Sequence, residues 1–350
     1  MCLYPRFYKN RKYEKNKKNG GVIPAINDSR VLYVPVPCEN CMECRKKKAR
    51  EWQIRLQEDI KTNTDARFIT FTLSNESIKE LHQVLMQNPE NWGLENFDLD
   101  NAIIKLALRR FNENYRRKFG KALRHWTVTE LGHEGTENIH LHGIIWTPKR
   151  VVVKRGKGRG SKLIEVDAMD EIERLWGYGY VWKYKMVKGR PVNYVNNRTV
   201  NYITKYVSKR DDLYKHYKSK VLCSPGIGKG YTDSHDVKRN QFKPKGTNQT
   251  YKTESGHRVG LPKYWKNKIY SDDEKEELWL QALDRKEQWV CGIKVSTKNG
   301  NQELFKLIEE YRKKSNRLGY GNYLKDLERE QWEKMRRGKM QRARLEKARS

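Results

Sequence analysis

Apolar positions recur along the chain with two alternating periods. Between residues 45 and 60, Ala49, Trp52, Leu56 and Ile60 are separated by charged residues, a spacing that predicts an amphipathic helix. Residues 68–73 (FITFTL) form a β-branched and aromatic run and predict a strand. Ile103, Ala107, Phe111 and Tyr115 return to the helical period over 100–119, with Asp98 or Asp100 as the N-cap candidate and Gly120 as the stop. Residues 126–131 and 139–147 read as two strands of a hairpin joined by the turn-rich GHEGTEN, and Pro148 ends the second. Residues 167–176 predict a helix, 177–187 an aromatic strand and 199–209 another helix. Strands and helices intermingle without a regular βαβ repeat, so the expected fold class is α+β, a mainly antiparallel sheet flanked by helices.

The flanks read differently. Residues 1–37 are basic, Asn-rich and punctuated by proline, which predicts extended structure draped on a domain. Residues 219–268 are rich in Gly, Lys, Asn and Thr and predict an extended basic stretch of partial order. A helical block opens near Ser271 with acidic residues that suit a helix N-terminus, and residues 334–350 end the chain as a basic tail. The expected organisation is an N-terminal segment over 1–66 with a cysteine cluster and a helix, a central core over 67–210, and a basic accessory region over 211–350 with C-terminal helices.

Composition narrows the function. Lys and Arg number 74 against 43 Asp and Glu, a formal charge of +31 that points to a polyanionic partner. Aromatic residues at 11% separate the chain from a disordered polyelectrolyte. No apolar run approaches the roughly 20 residues that span a bilayer, and the start has no signal-like segment, so no membrane and a cytosolic protein are expected. GIGKG near Gly226 lacks the spacing of a nucleotide-binding loop.

Three constellations carry chemistry. His140 and His142 are two apart in a predicted strand and project from one face, with Glu130 near the end of the partner strand. Two imidazoles and a carboxylate with open positions suit Mg2+ or Mn2+ at a phosphoryl site, while Zn2+ would also bind; the competing reading is a pair of polar strand residues facing solvent. Tyr202 and Tyr206 are one turn apart, flanking the apolar stripe of Val200, Ile203 and Val207, with Lys205 and Lys209 beside them. Two cations next to two phenols fit a phosphate held against a nucleophilic oxygen; the competing reading is packing at a core edge. Cys38, Cys41 and Cys44 form C-x-x-C-x-x-C, three thiolates short of a closed zinc site, with unliganded thiols or a completing His as alternatives.

The order of these motifs, a FITFTL strand, a His-hydrophobic-His strand and then a helix with Tyr-x-x-x-Tyr-x-x-Lys, resembles the HUH endonuclease superfamily. It resembles more closely the replication initiator proteins of the microviruses, small circular single-stranded DNA bacteriophages. The resemblance extends through MCLYP, VLYVPVPCENCMECRKKKAREWQIRL, WGYGYVW and YITKYVSK, over most of residues 1–210. CENC departs from the family pattern, which has Gly after the first Cys.

The resemblance implies that 67–210 is an HUH-like nuclease core acting as a site-specific endonuclease and strand transferase in rolling-circle DNA replication. An ion at Glu130, His140 and His142 would polarise the scissile phosphate, and Tyr202 or Tyr206 would attack it to leave a 5′-phosphotyrosine and a free 3′-OH. It also makes Cys2 the fourth ligand of a structural zinc. The implied partners are single-stranded DNA at a phage replication origin and the host replication machinery, in the host bacterial cytoplasm. Lys154, Arg155, Lys157 and Arg159 are expected to contact phosphate. Trp176, Tyr178, Tyr180, Trp182 and Tyr184 share one parity, so Tyr178 and Tyr180 are expected on a stacking platform for unpaired bases. Two rivals are a non-catalytic, zinc-containing nucleic-acid-binding protein and a plasmid mobilisation relaxase.

Overall fold

The computed structural model describes residues 1–133, 137–156, 161–320 and 326–347. Their elements are, in chain order, β1 (Arg6–Lys9), β2 (Tyr33–Val36), α1 (Met42–Thr62), β3 (Ala66–Phe71), α2 (Asn75–Met86), α3 (Asn96–Phe119), β4 (Arg124–Leu131), β5 (Ile139–Trp146), β6 (Arg150–Arg155), β7 (Lys162–Asp167), α4 (Ala168–Trp176), β8 (Val181–Trp182), β9 (Lys185–Val187), β10 (Arg190–Val192), α5 (Asn197–Ser208) and β11 (Val221–Cys223). They continue with α6 (Gly230–Asp233), β12 (Thr250–Lys252), β13 (Arg258–Gly260), α7 (Lys263–Ile269), α8 (Asp272–Asp284), β14 (Glu287–Val290), β15 (Ile293–Ser296), α9 (Gln302–Ser315) and α10 (Leu327–Lys347). The chain groups into two compact units, residues 55–228 with 328–350 (the sheet unit) and residues 1–54 with 229–327 (the cysteine unit). No helix among the described residues is long and apolar enough to cross a membrane.

The sheet unit is α+β. Its five-stranded sheet runs in the order β11-β4-β5-β3-β8 with every neighbour antiparallel. Successive side chains of a strand point to opposite faces, and here the two faces have different tasks. Ile69, Phe71, Leu131, Ile139, Leu141 and Ile145 pack against Ile103, Ala107 and Phe111 of α3, with Leu81 of α2 and Ile172 of α4 closing the same core. The opposite parity, with Phe68, Thr70, Trp126, Val128, Glu130, His140, His142 and Ile144, forms the face near α5, whose Val200, Ile203 and Val207 are buried. Gly143 is fixed by the sheet itself, since a Cβ there would lie 2.2 Å from the Trp126 carbonyl oxygen.

Four local expectations are corrected. Neither Asp98 nor Asp100 caps α3: the helix starts at Asn96, and Asp100 is buried within it as the partner of an arginine. The aromatic strand is only two residues long. Gly177, at φ 63°, ends α4, and only Val181 and Trp182 pair with β3, so the aromatic residues of one parity do not share a face. Trp176 stacks on Phe71 in the α3 core at 4.4 Å, whereas Trp182 meets Phe68 edge-on at 5.1 Å on the other side. Part of the stretch expected to be loosely ordered is instead built: β11 completes the sheet edge, and in the cysteine unit Tyr231, Tyr251, Leu261 and Trp265 form a core in which Trp265 stacks on Tyr231 at 4.2 Å.

The basic tail is likewise a packed helix. In α10, Arg337 is fully buried; its Nε donates to Asp100 at 2.7 Å and its Nη1 to the backbone oxygen of Glu137 at 3.0 Å. Arg336 pairs with the Glu137 carboxylate at 2.9 Å, and buried Glu333 accepts from the backbone N–H groups of Lys215 and His216. Burial pushes the Glu137 carboxyl up, but Arg336, Tyr214 and Arg337 hold it net below its usual value. Its contribution to stability is therefore complete above the ordinary carboxylate range and is lost as pH falls through the lowered folded value.

Removing one partner of a buried pair leaves the other charged and unsolvated. Arg337→Ala is expected to destabilise the sheet unit by about 3–5 kcal/mol, read as a lowered denaturation midpoint, whereas Arg342→Ala on the exposed side of the same helix should change it by less than about 0.5 kcal/mol.

Candidate functional site

The β4–β5 ladder sets Glu130 opposite His140 and Val128 opposite His142, and the β3–β5 ladder sets Thr70 opposite His142. Glu130, His140 and His142 consequently share the α5 side of the sheet. Glu130 Oε2 lies 2.8 Å from His142 Nε2, and Thr70 Oγ1 lies 3.0 Å from His142 Nδ1. Sequence reasoning missed Thr70. The signal was its place in FITFTL, on the parity that faces the imidazoles, and a partner on the second ring nitrogen is what fixes a histidine's tautomer.

His140 stands farther off, its ring centre 6.3 Å from that of His142. Its Nδ1 is buried without a hydrogen-bond partner among the described residues. Burial and the nearby His142 charge lower its pKa to about 4 against the opposing pull of Glu130, so at neutral pH the ring is uncharged and keeps a lone pair. Burial raises the Glu130 carboxyl, but His142 and Lys209 outweigh it, and the group is held below its usual range as an anion.

Helix α5 brings the two tyrosines to this face. Asn196 caps it, accepting from Thr199 N at 3.0 Å, and the buried Val200, Ile203 and Val207 fix its rotation. The Tyr206 ring lies flat on His142, with centroids 4.5 Å apart and planes 8° from parallel. Its hydroxyl is 2.7 Å from that of Tyr202, which is half exposed. Burial, the Tyr202 hydroxyl and the Glu130 charge all push the Tyr206 phenol above its usual value.

The lysines divide. Lys209, just past the helix end, places its ammonium 2.5 Å from Glu130 Oε1 and 5.6 Å from the Tyr206 ring centre, so it serves the carboxylate rather than a phenol oxygen. Lys205 is exposed. The two oxygens of Glu130 therefore face two partners, an imidazole and an ammonium that occupies the carboxylate as a cation would.

Of the residues expected to contact DNA, Lys154 and Arg155 are exposed at the end of the β6–β7 hairpin, where Arg155 pairs with Glu171 at 2.8 Å. Lys157 and Arg159 lie outside the described residues. Tyr178 is partly buried beside Trp176, and Tyr180 is 65% exposed.

In the cysteine unit, Cys38 and Cys41 precede α1 and Cys44 lies in its first turn, while Leu3 anchors the N-terminal segment in a cluster with Met42, Val290, Val295 and Leu304. That packing carries Cys2 to the other three. All four sulfurs lie within 4.8 Å of one another, and among the described residues this is the one set of three or more ligand atoms so close. Cys38 and Cys44 sulfurs are 3.9 Å apart, near the roughly 3.8 Å edge of a tetrahedron with 2.3 Å bonds to zinc. Backbone N–H groups of Tyr4 and Cys38 donate to the Cys2 sulfur, and that of Cys41 to the Cys38 sulfur.

The thiols compete for protons. Cys38 pushes Cys2 up, but Cys41 and Cys44 bring it down to about 6; Cys38 is held below the thiol range by Cys2 and its other neighbours, and Cys41 and Cys44 are pushed above it. The four cysteines could hold a metal such as zinc, whose charge would relieve that competition. Atomic absorption on the purified chain is expected to give one zinc per molecule, and Cys41→Ser to lower that content and the melting temperature together. Full zinc retention in this variant would remove Cys41 from the ligand set.

No curated protein and no solved structure matches the chain. Residues 66–211, from the first residue of β3 to just beyond α5 and short of half the chain, match the model of the ORF2 family of replication-associated proteins, a similarity consistent with a replication initiator.

Proposed function

We propose that the sheet unit is a site-specific, single-stranded DNA endonuclease and strand transferase of the HUH type that initiates rolling-circle replication of a microvirus-like phage genome. The observation that carries this reading is the stack of Tyr206 on His142, with His142 against Glu130 and Tyr202 bonded to Tyr206. A nucleophile, its alternate and a carboxylate–imidazole pair lie together on one sheet face.

Glu130, His140 and His142 offer the donor set that Mg2+ or Mn2+ takes beside phosphate, and His140 supplies an uncharged ring. The bound ion would contribute positive charge at the scissile phosphate. The chain's own residues do the rest. A tyrosine oxygen bonds to phosphorus as its hydroxyl loses the proton, the bond from phosphorus to the 3′ oxygen breaks, and that oxygen takes up a proton to become a free 3′-OH. The 5′ phosphate stays on the tyrosine. The bond energy is kept in the link, so the step reverses without a nucleotide, and the second tyrosine can cut a regenerated origin while the first is loaded. The 3′-OH is then a primer for host replication enzymes in the bacterial cytoplasm. The structural metal in this reading is zinc at Cys2, Cys38, Cys41 and Cys44.

Incubation with Mn2+ and origin-containing single-stranded DNA should give a covalent adduct on a denaturing gel. Tyr202→Phe and Tyr206→Phe should each retain it, and the double variant should lose it while DNA affinity stays within about twofold, because binding rests on phosphate contacts spread over a basic surface. An adduct from the double variant would exclude α5 as the source of the nucleophile.

Lys209 competes with a divalent ion for Glu130. Lys209→Gln is therefore expected to tighten Mn2+ binding several-fold in calorimetry without DNA and to slow cleavage. Unchanged or weaker Mn2+ binding would separate Glu130 from the ion.

A further inference from the structure

Beside the tyrosines the sheet unit opens into a groove of about 810 Å³. Phe68, Trp182, Tyr194 and Tyr202 form its aromatic walls, Lys185 and Arg198 add positive charge, and Thr70 and His142 connect it with the candidate cleavage centre. Phe68 meets Trp182 edge-on at 5.1 Å and Tyr202 edge-on at 6.3 Å, so the rings stand at angles around a space rather than filling it. The Tyr194 side of the groove is open, that residue being 62% exposed.

We infer that this groove seats an unpaired nucleobase of the DNA strand next to the phosphate being cut, and that it does so by stacking, with little preference among bases. The inference rests on the nucleic-acid reading of the same site and adds how the strand is held there.

Selectivity by base identity needs free donors and acceptors aimed at a base edge. The groove's amides are committed elsewhere. Asn193 donates to Phe68 O at 2.7 Å and to the Lys183 carbonyl, and its Oδ1 accepts from Phe68 N at 2.8 Å. It thus replaces a strand partner where β8 has ended. Asn196 Oδ1 is used in capping α5, and Thr199 Oγ1 donates to it at 3.2 Å. What remains for a ligand is aromatic faces and cations. Every base has a π face and every nucleotide a phosphate, so this combination accepts any unpaired nucleotide and excludes bases still stacked in a duplex. Discrimination of an origin sequence must then come from contacts outside this groove.

The test uses the full chain in EDTA, so that no cleavage takes part, with fluorescent single strands of about twelve nucleotides (oligothymidine, oligocytidine and a mixed sequence) and a duplex of the same length. Wild type should bind the three single strands within about threefold of one another. Trp182→Leu and Tyr194→Ala should each weaken single-strand binding roughly tenfold and change duplex binding by less than twofold. Because Tyr194 is mostly exposed, its variant carries the test if Trp182→Leu fails to fold. Unaltered single-strand affinity in Tyr194→Ala, equal losses on single strand and duplex, or a wild-type preference of more than tenfold for one base would overturn the proposal. Normal stacking behaviour with no adduct in Mn2+ would instead count against the cleavage reading and leave this one standing.

Discussion

Everything at the candidate site depends on the register of one antiparallel ladder. Glu130 faces His140 and Val128 faces His142 across β4 and β5, while Thr70 faces His142 from β3. Strand side chains alternate with a period of two, so slipping β5 by one residue would drive both imidazoles into the α3 core and bring Leu141 out beneath α5. The burial of Ile139, Leu141 and Ile145 among the α3 side chains opposes that slip. Hydrophobic burial on one face thereby specifies chemistry on the other, with no direct contact between them. Gly143 permits the close approach of the β4 backbone that the same ladder requires.

The excess positive charge of the chain serves two purposes that composition cannot separate. Some of it is consumed internally: Arg337 and Arg336 neutralise Asp100 and Glu137, and Lys209 neutralises Glu130. Glu137 lies just ahead of β5, so the arginines of α10 brace the turn from which both imidazoles descend. The remainder, such as Lys154 and Lys185, is exposed and available to a polyanion.

The long periodic elements were legible in the sequence. The helices α1, α3 and α5, the β4–β5 hairpin and the convergence of Glu130 with His142 follow from patterns of 3.6 and 2 residues. Elements whose reason is remote were not. β11 is three residues long and is a strand only because β4 offers an edge. The WGYGYVW segment carries a strand-like alternation that Gly177 and Gly179 override: Gly177 closes the preceding helix, and Gly179 lies where a Cβ would come within 2.7 Å of the Thr72 carbonyl oxygen. Asp100 looks like a cap until a residue more than two hundred positions away claims it. Cys2 is invisible to spacing because the packing of Leu3, not the local chain, delivers it to the other cysteines.

The contact between the two phenol oxygens has a further consequence. At 2.7 Å only one hydrogen can lie between them, so one hydroxyl is donor and the other acceptor at any instant. Rotating two O–H bonds exchanges these identities without moving either ring, the helix or the sheet. The pair is thus a two-position relay in which hydrogen placement alone makes the oxygens inequivalent. A site that must alternate between two like groups could do so through a torsional flip on the timescale of hydroxyl rotation, with the protein frame held still.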